Sequence, residues 1–178
     1  MGNGIRIYKD VGMPIAERVE DLMSDMTLDE KIGQLCTWWH TLYYMSDFEG
    51  ALEKTLKHGL GAINWLIPGF APEENVKVMN RIQKYAIEET RLGIPVLFCG
   101  EALAGGLFYG ATYFPTAIGL ASTWEPELIA EMCRIVQKQM YEYGVRLVYS
   151  PVLDIARDPR WGRIGETYGE DPYLASQL

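Results

Sequence analysis

Between Asp154 and Asp171 the chain packs five acids, at 154, 158, 166, 170 and 171, and three arginines, at 157, 160 and 163, around Trp161. Charges this close in one loop pair with each other: an arginine fork grips a carboxylate bidentately and stiffens the backbone between them. Most of these residues therefore read as structural. A guanidinium left pointing into a cleft would bind a polyhydroxylated ligand. A further carboxylate, Glu101, stands in Phe98-Cys-Gly-Glu-Ala-Leu103, directly after an apolar run. At the carboxyl end of a strand it would accept hydrogen bonds from sugar hydroxyls; the plainer reading is a loop residue capping local amides. Retaining glycoside hydrolysis needs two carboxyl groups about 5–5.5 Å apart, and Glu101 with one loop acid is the pair this sequence offers.

Other chemistries find no support. The chain has no nucleophile elbow, no HExxH and no Walker loop. His40 and His58 are isolated and read as surface or packing residues. Cys36, Cys99 and Cys133 are odd in number and lack CxxC spacing, so they suggest neither a disulfide framework nor a zinc site and read as buried free thiols. A net charge of -8 repels phosphate backbones, which excludes nucleic acid as an expected partner. No stretch approaches the roughly 20 apolar residues of a membrane span. The N-terminus shows no apolar signal-peptide core. The sequence reads as soluble, with the compartment open between cytoplasmic and, for a longer parent, secreted or periplasmic.

The elements that would carry these residues follow from periodicity. Ile15, Val19, Leu22, Met23 and Met26 recur at helical spacing after Pro14. Thr27-Leu-Asp-Glu30 is a capping box that opens a second helix through Ile32 and Leu35. Trp38, Trp39, Tyr43 and Tyr44 read as core or lid packing, with a sugar-stacking surface as the alternative. Residues 61–66 then read as a buried strand, 72–91 as a helix with Val76, Met79, Ile82 and Ala86 inward, and 96–99 as a second strand. A long Gly- and aromatic-rich loop runs from Gly100 to Ala121. Ser122 or Thr123 caps a helix that ends at Gly144, and 145–150 is a third strand. Residues 170–178 open one more helix, with Pro172 at its start. Parallel strands need such crossovers. Long loops at the carboxyl ends of strands point to a (β/α)8 barrel face. A doubly wound sheet would alternate in the same way, but the first βα loop lacks its GxGxxG fingerprint. The expected fold is α/β: a partial TIM-type (β/α)8 barrel of about three strand-helix units, incomplete at the C-terminus, since such barrels run to about 250 residues.

Four stretches resemble the N-terminal barrel domain of glycoside hydrolase family 3: Met26-Thr-Leu-Asp-Glu-Lys-Ile-Gly-Gln-Leu35, residues 92–103 with Gly100-Glu-Ala-Leu103, residues 111–122, and Ser150-Pro-Val-Leu-Asp-Ile-Ala-Arg-Asp-Pro-Arg-Trp-Gly-Arg163 followed by Glu166-Thr-Tyr-Gly-Glu-Asp-Pro-Tyr-Leu174. The resemblance covers the chain from about residue 14 and implies that residues 1–178 are the front part of that domain. It implies that Glu101 and Arg163 bind the glycone sugar, and that Asp154 and Glu166 orient the loop. It also implies that no catalytic residue lies in this chain. The family's nucleophilic Asp and its Lys-His sugar-binding pair lie on later strands, and its acid/base lies beyond the first barrel domain, so the Glu101 pair is not the catalytic dyad. The implied parent is a retaining β-glucosidase acting on non-reducing ends of oligosaccharides, without metal or organic cofactor, while this chain alone would be inactive. The Arg-Trp-Gly-Arg loop argues against the N-acetylhexosaminidase branch. A β-xylosidase stays open as the runner-up, and so does a non-catalytic sugar-binding half-barrel that pairs with the missing remainder on another chain. Two departures from the family pattern stand out: Ala104 where His is usual, and the Gly105-Gly106 pair after it.

Overall fold

The computed structural model describes residues 6–39, 46–64 and 71–178. Its elements run α1 (Ile15–Asp25), α2 (Leu28–Gln34), β1 (Thr37–Trp39), α3 (Phe48–Leu56), β2 (Ala62–Asn64), α4 (Pro72–Glu88), β3 (Leu97–Gly100), α5 (Ala117–Ala121), α6 (Pro126–Glu142), β4 (Leu147–Val148) and α7 (Pro172–Gln177). The strands form one parallel sheet in the order β1-β2-β3-β4. A doubly wound sheet reverses its order at a switch point. This sheet does not reverse, and its strands follow chain order as successive strands of a (β/α)8 barrel do.

The two faces of the sheet differ because side chains alternate along a strand. Ile63 and Phe98 are register partners facing the helices. They are buried with Leu52 and Leu56 of α3, Met79 and Ile82 of α4, and Ile129 and Val136 of α6. Asn64, Cys99 and Leu147 share the opposite face, the inside of the barrel wall. Proline at the first turn starts α4, α6 and α7, where its fixed φ suits the helix and its missing N–H costs nothing. Thr27 and Glu30 cap α2 reciprocally, as the sequence predicts. Gly144 ends α6 at φ +98°, a left-handed turn that costs glycine least.

Several expectations need correction. The structure has four strands where sequence patterning gives three, because Thr37–Trp39 pairs with β2 as an edge strand and α3 precedes β2. Trp38 and Trp39 are accordingly exposed by 39% and 59%, and are not core residues. Tyr43, Tyr44, His40 and the end of the predicted 61–66 strand lie outside the described residues. The loop from Gly100 contains the short helix α5. Neither Ser122 nor Thr123 caps α6; its N-cap is Glu125, whose backbone N–H donates to Thr123 Oγ1 at 3.2 Å. In α4 the inward position next to Val76 is Asn75, which is fully buried. The cysteines are free, but only Cys99 is buried; Cys36 and Cys133 are exposed. His58 is exposed, as expected. Among the described residues no helix is long and apolar enough to cross a membrane.

Candidate functional site

Strand β3 delivers Glu101. It follows the last strand residue directly, and its charge acts on the Cys99 thiol. Glu101 is half-buried and makes no hydrogen bond to a described residue. Burial pushes its carboxyl pKa up, Arg163 pulls it down, and Glu166 adds a smaller upward push. Glu101 is thus a partly desolvated carboxylate without a bonded partner among the described residues, held in the field of an arginine.

The long loop after β4 delivers that arginine. Its two ends are tied by the Ala156 N–H donating to the Gly169 carbonyl at 3.0 Å. The fully buried Thr167 donates to the Ile164 carbonyl at 2.8 Å, and Tyr168 inserts into the core. Between these anchors, Arg163 Nε donates to Glu166 Oε2 at 2.8 Å, and Nη2 donates to the same oxygen. Its Nη1 makes no hydrogen bond among the described residues. The Glu166 contact raises the guanidinium pKa most, with Asp154 and Glu101 adding to it. Four predicted site residues therefore converge on one mouth: Glu101, Arg163 and Glu166 by contact or field, and Asp154, which is exposed, by field alone. The expected bidentate fork appears one turn earlier. Arg160 Nε and Nη2 reach Asp158 Oδ1 and Oδ2 at 3.0 and 2.6 Å, both side chains being exposed.

Beneath this mouth lies a layer that sequence reasoning did not find. The Cys99 thiol lies 3.1 Å from the Tyr149 hydroxyl. Burial raises the Cys99 thiol, and the Cys99 contact raises the Tyr149 phenol. Asn64, buried beside Cys99, leaves its Oδ1 without a partner among the described residues. The signal was present in the sequence, since the period of two places Cys99 under Glu101.

The unusual loop after Glu101 has a packing cause. Ala104 is buried, and its carbonyl accepts from the Phe114 N–H at 2.6 Å. This folds residues 105–113 back on themselves. Gly105 sits at φ +126°, where a Cβ would run into the Thr112 carbonyl, and a Cβ at Gly106 would meet the Phe108 ring and the Met140 sulfur. Gly105 is required by this hairpin-like return, whereas a side chain at Gly106 would force Phe108 and Met140 to shift.

Two concavities are lined by other residues. One, of about 660 Å³, runs between α5 and the start of α7, past Trp124, Arg157 and Leu174. The other, of about 640 Å³, lies along α6 and β4. Among the described residues no group of three metal-ligating side chains occurs.

Comparison with known proteins fits this geometry. Residues 27–178 match the glycosyl hydrolase family 3 N terminal domain. A putative beta-xylosidase of Formosa agariphila is 33% identical over 96% of this chain and 23% of its own length. A beta-xylosidase of the same organism is 49% identical over 49% of this chain and 13% of its own length. A β-glucosidase structure from Erythrobacter marinus superposes with a TM-score of 0.84 at 33% identity, over 96% of this chain and 23% of that one. The chain thus spans about a quarter of the length of such relatives. With a parallel sheet in barrel order and a matching sequence over most of its length, the chain belongs to glycosyl hydrolase family 3, within the family's N-terminal domain.

Proposed function

We propose that this chain is the glycone-binding portion of a longer retaining β-glycosidase that removes terminal sugars from the non-reducing ends of oligosaccharides. The observation that carries this reading is Glu101: a half-buried carboxylate, unbonded among the described residues, at the carboxyl end of a barrel strand and in the field of Arg163. A carboxylate facing a guanidinium across a cleft presents acceptors and donors to adjacent sugar hydroxyls. Glu166 holds Arg163 from one side and leaves Nη1 for the sugar. Asp154 adds negative potential that keeps the guanidinium oriented. The bond-breaking carboxylates belong to residues outside this chain, and this chain by itself does not turn over aryl β-glycosides. No metal or organic cofactor enters the reaction.

The sugar is glucose in this reading. Xylose is the second reading, favoured by the 49%-identical stretch shared with a beta-xylosidase. The two sugars differ by the C6 hydroxymethyl group. The ratio of kcat/KM on aryl β-glucoside and aryl β-xyloside, measured on the full-length protein, decides between them. In that protein Arg163→Ala should weaken glycone affinity by about 10- to 100-fold, the size of a lost charged hydrogen bond. Unchanged KM and kcat would remove Arg163 from the site. Turnover by the 178-residue chain alone, abolished by Glu101→Gln, would show that the catalytic assignment is wrong.

A further inference from the structure

Strand β3 ends at Gly100, and the next residue is Glu101. That carboxylate makes no hydrogen bond to a described residue, so its place in the mouth is set through its backbone. Tyr149 holds that backbone twice. It directly follows β4, one step beyond the Gly100–Val148 register pair. Its N–H donates to the Gly100 carbonyl at 3.0 Å, and that carbonyl belongs to the peptide unit that leads into Glu101. Its hydroxyl lies 3.1 Å from the thiol of Cys99, one residue earlier on β3. Tyr149 thus grips β3 on both sides of Gly100, once through its main chain and once through its side chain. Gly100 has no side chain to pack and adds little stiffness of its own. Cys99 is fully buried, so its thiol gives the half-exposed Tyr149 a fixed point. On its other side Tyr149 leads straight into the loop that carries Arg163, which is closed by the Ala156–Gly169 hydrogen bond. The Glu101 charge raises both the thiol and the phenol, so the three groups share one electrostatic neighbourhood.

We infer that Tyr149, braced by the Cys99 thiol, is a positioning residue that fixes the span between Glu101 and Arg163. The inference rests on the glycone-binding reading above and adds a residue to it. Two groups that share one sugar must stand at a set separation. Affinity falls when either is loose, because binding must then supply the ordering. The Arg163 end of the span is tied by Glu166. The Glu101 end has no such tie among the described residues, and the Tyr149–Cys99 contact supplies it one step back, at the strand end. Tyr149 does this without touching the sugar. A thiol suits the position: it is small and apolar enough to be fully buried, yet it still offers the phenol a hydrogen-bonding partner. An alanine there would hold nothing.

The test is the dissociation constant of the free sugar, D-glucose or D-xylose according to which aryl glycoside is preferred, measured by titration calorimetry on the full-length protein. Tyr149→Phe and Cys99→Ala remove the contact from its two sides. Each should raise the constant by about 3- to 10-fold, the size of one hydrogen bond. The double variant should be no worse than either, because both changes break the same contact. Cys99→Ser keeps a hydrogen-bonding group and should recover most of the affinity that Cys99→Ala loses. A merely structural role would move the denaturation midpoint and leave the sugar affinity of the folded protein alone. If Tyr149→Phe does not fold, the comparison of Cys99→Ala with Cys99→Ser still decides. Unchanged affinity in both single variants, additive losses in the double variant, or no recovery in Cys99→Ser would each overturn the positioning role. So would a loss in Tyr149→Phe alone, which would make the hydroxyl itself the sugar's partner. Glu101→Gln separates this from the reading beneath it. Wild-type affinity in Glu101→Gln removes the glycone reading and this inference together, whereas the outcomes above leave Glu101 in the site.

Discussion

Two arginine–carboxylate clusters sit at opposite ends of the strands, and they use their hydrogen-bonding capacity in opposite ways. Below the sheet, Arg91 donates from Nε to Glu30 Oε1 at 2.8 Å and from Nη2 to Glu30 Oε2 at 2.6 Å, and also reaches the Asp25 carbonyl at 2.7 Å. Glu30 is buried, accepts from the Thr27 backbone N–H and hydroxyl as well, and is held at a pKa of about 2, chiefly by Arg91. Above the sheet, Arg163 directs two donors at a single oxygen of Glu166 and keeps Nη1 clear of described residues, while Glu101 is pushed up by burial and has no bonded partner among the described residues. The lower cluster is saturated and joins α2 to the turn before β3. The upper one is incomplete, and completing it is what a ligand's hydroxyls would do. Similar residue types thus serve stability where every donor is matched and, in the function proposed above, recognition where some are not.

The largest effect expected from breaking this contrast is at the lower cluster. Arg91→Ala strands the buried Glu30 carboxylate. A fully buried pair broken this way costs roughly 3–5 kcal/mol; because Arg91 is 44% exposed, solvent offsets part of it, and about 2 kcal/mol is expected from chemical denaturation. A change below the error of the denaturation midpoint would mean that the saturated network contributes nothing. The pH response should separate the clusters next. The folded-state pKa of Glu30 is depressed, so its stabilisation is present above the unfolded value near 4.5 and is lost as pH falls from there towards about 2. Glu30→Gln should flatten that acid-side loss. Glu101 acts with the opposite sign. Its folded pKa is raised, so its ionisation costs stability as pH rises through that range, and Glu101→Gln should gain stability relative to wild type on the alkaline side of the transition. Identical acid-side curves for wild type and Glu30→Gln would overturn the first sign. A loss of stability in Glu101→Gln would overturn the second.

The lower cluster is half legible in the sequence and the upper one nearly all. The Thr27–Glu30 capping box is a local pattern, but its partner Arg91 lies 61 residues away, and no spacing rule connects them. Glu101 and the charged loop mark themselves locally by a strand end and a dense run of charge, but the choice of Arg163, Glu166 and Asp154 among the loop's eight charged residues rests on the resemblance to the family. Their convergence is a property of parallel strands that all discharge on one face. What escapes is short or non-local. β1 has three residues and an exposed Trp pair, so it carries no alternating burial signal, and it exists only because β2 pairs with it. α3 lacks a clear boundary in the sequence, although Asp47 caps it at Gly50. The exposure of Cys36 and Cys133 reflects where the apolar neighbours of each thiol point, which composition cannot say.

The smallest effects fall within the mouth itself and sharpen its division of labour. Arg163→Ala removes the cation that, among the described residues, draws the Glu101 pKa down, so the Glu101 carboxyl should titrate at higher pH than in wild type when followed by carboxyl-resolved NMR, with the denaturation midpoint unmoved because the Arg163 pair is exposed. Arg160→Ala is the control. Its fork to Asp158 lies in the same loop and is geometrically better than the Arg163 pair, yet it is fully solvated and does not act on Glu101. It should leave both the Glu101 titration and the midpoint where they are. An equal shift of Glu101 in the two variants would mean that the field at the mouth comes from the loop's overall charge. A shift confined to Arg163→Ala would assign it to one guanidinium, held by Glu166 within the field of Glu101.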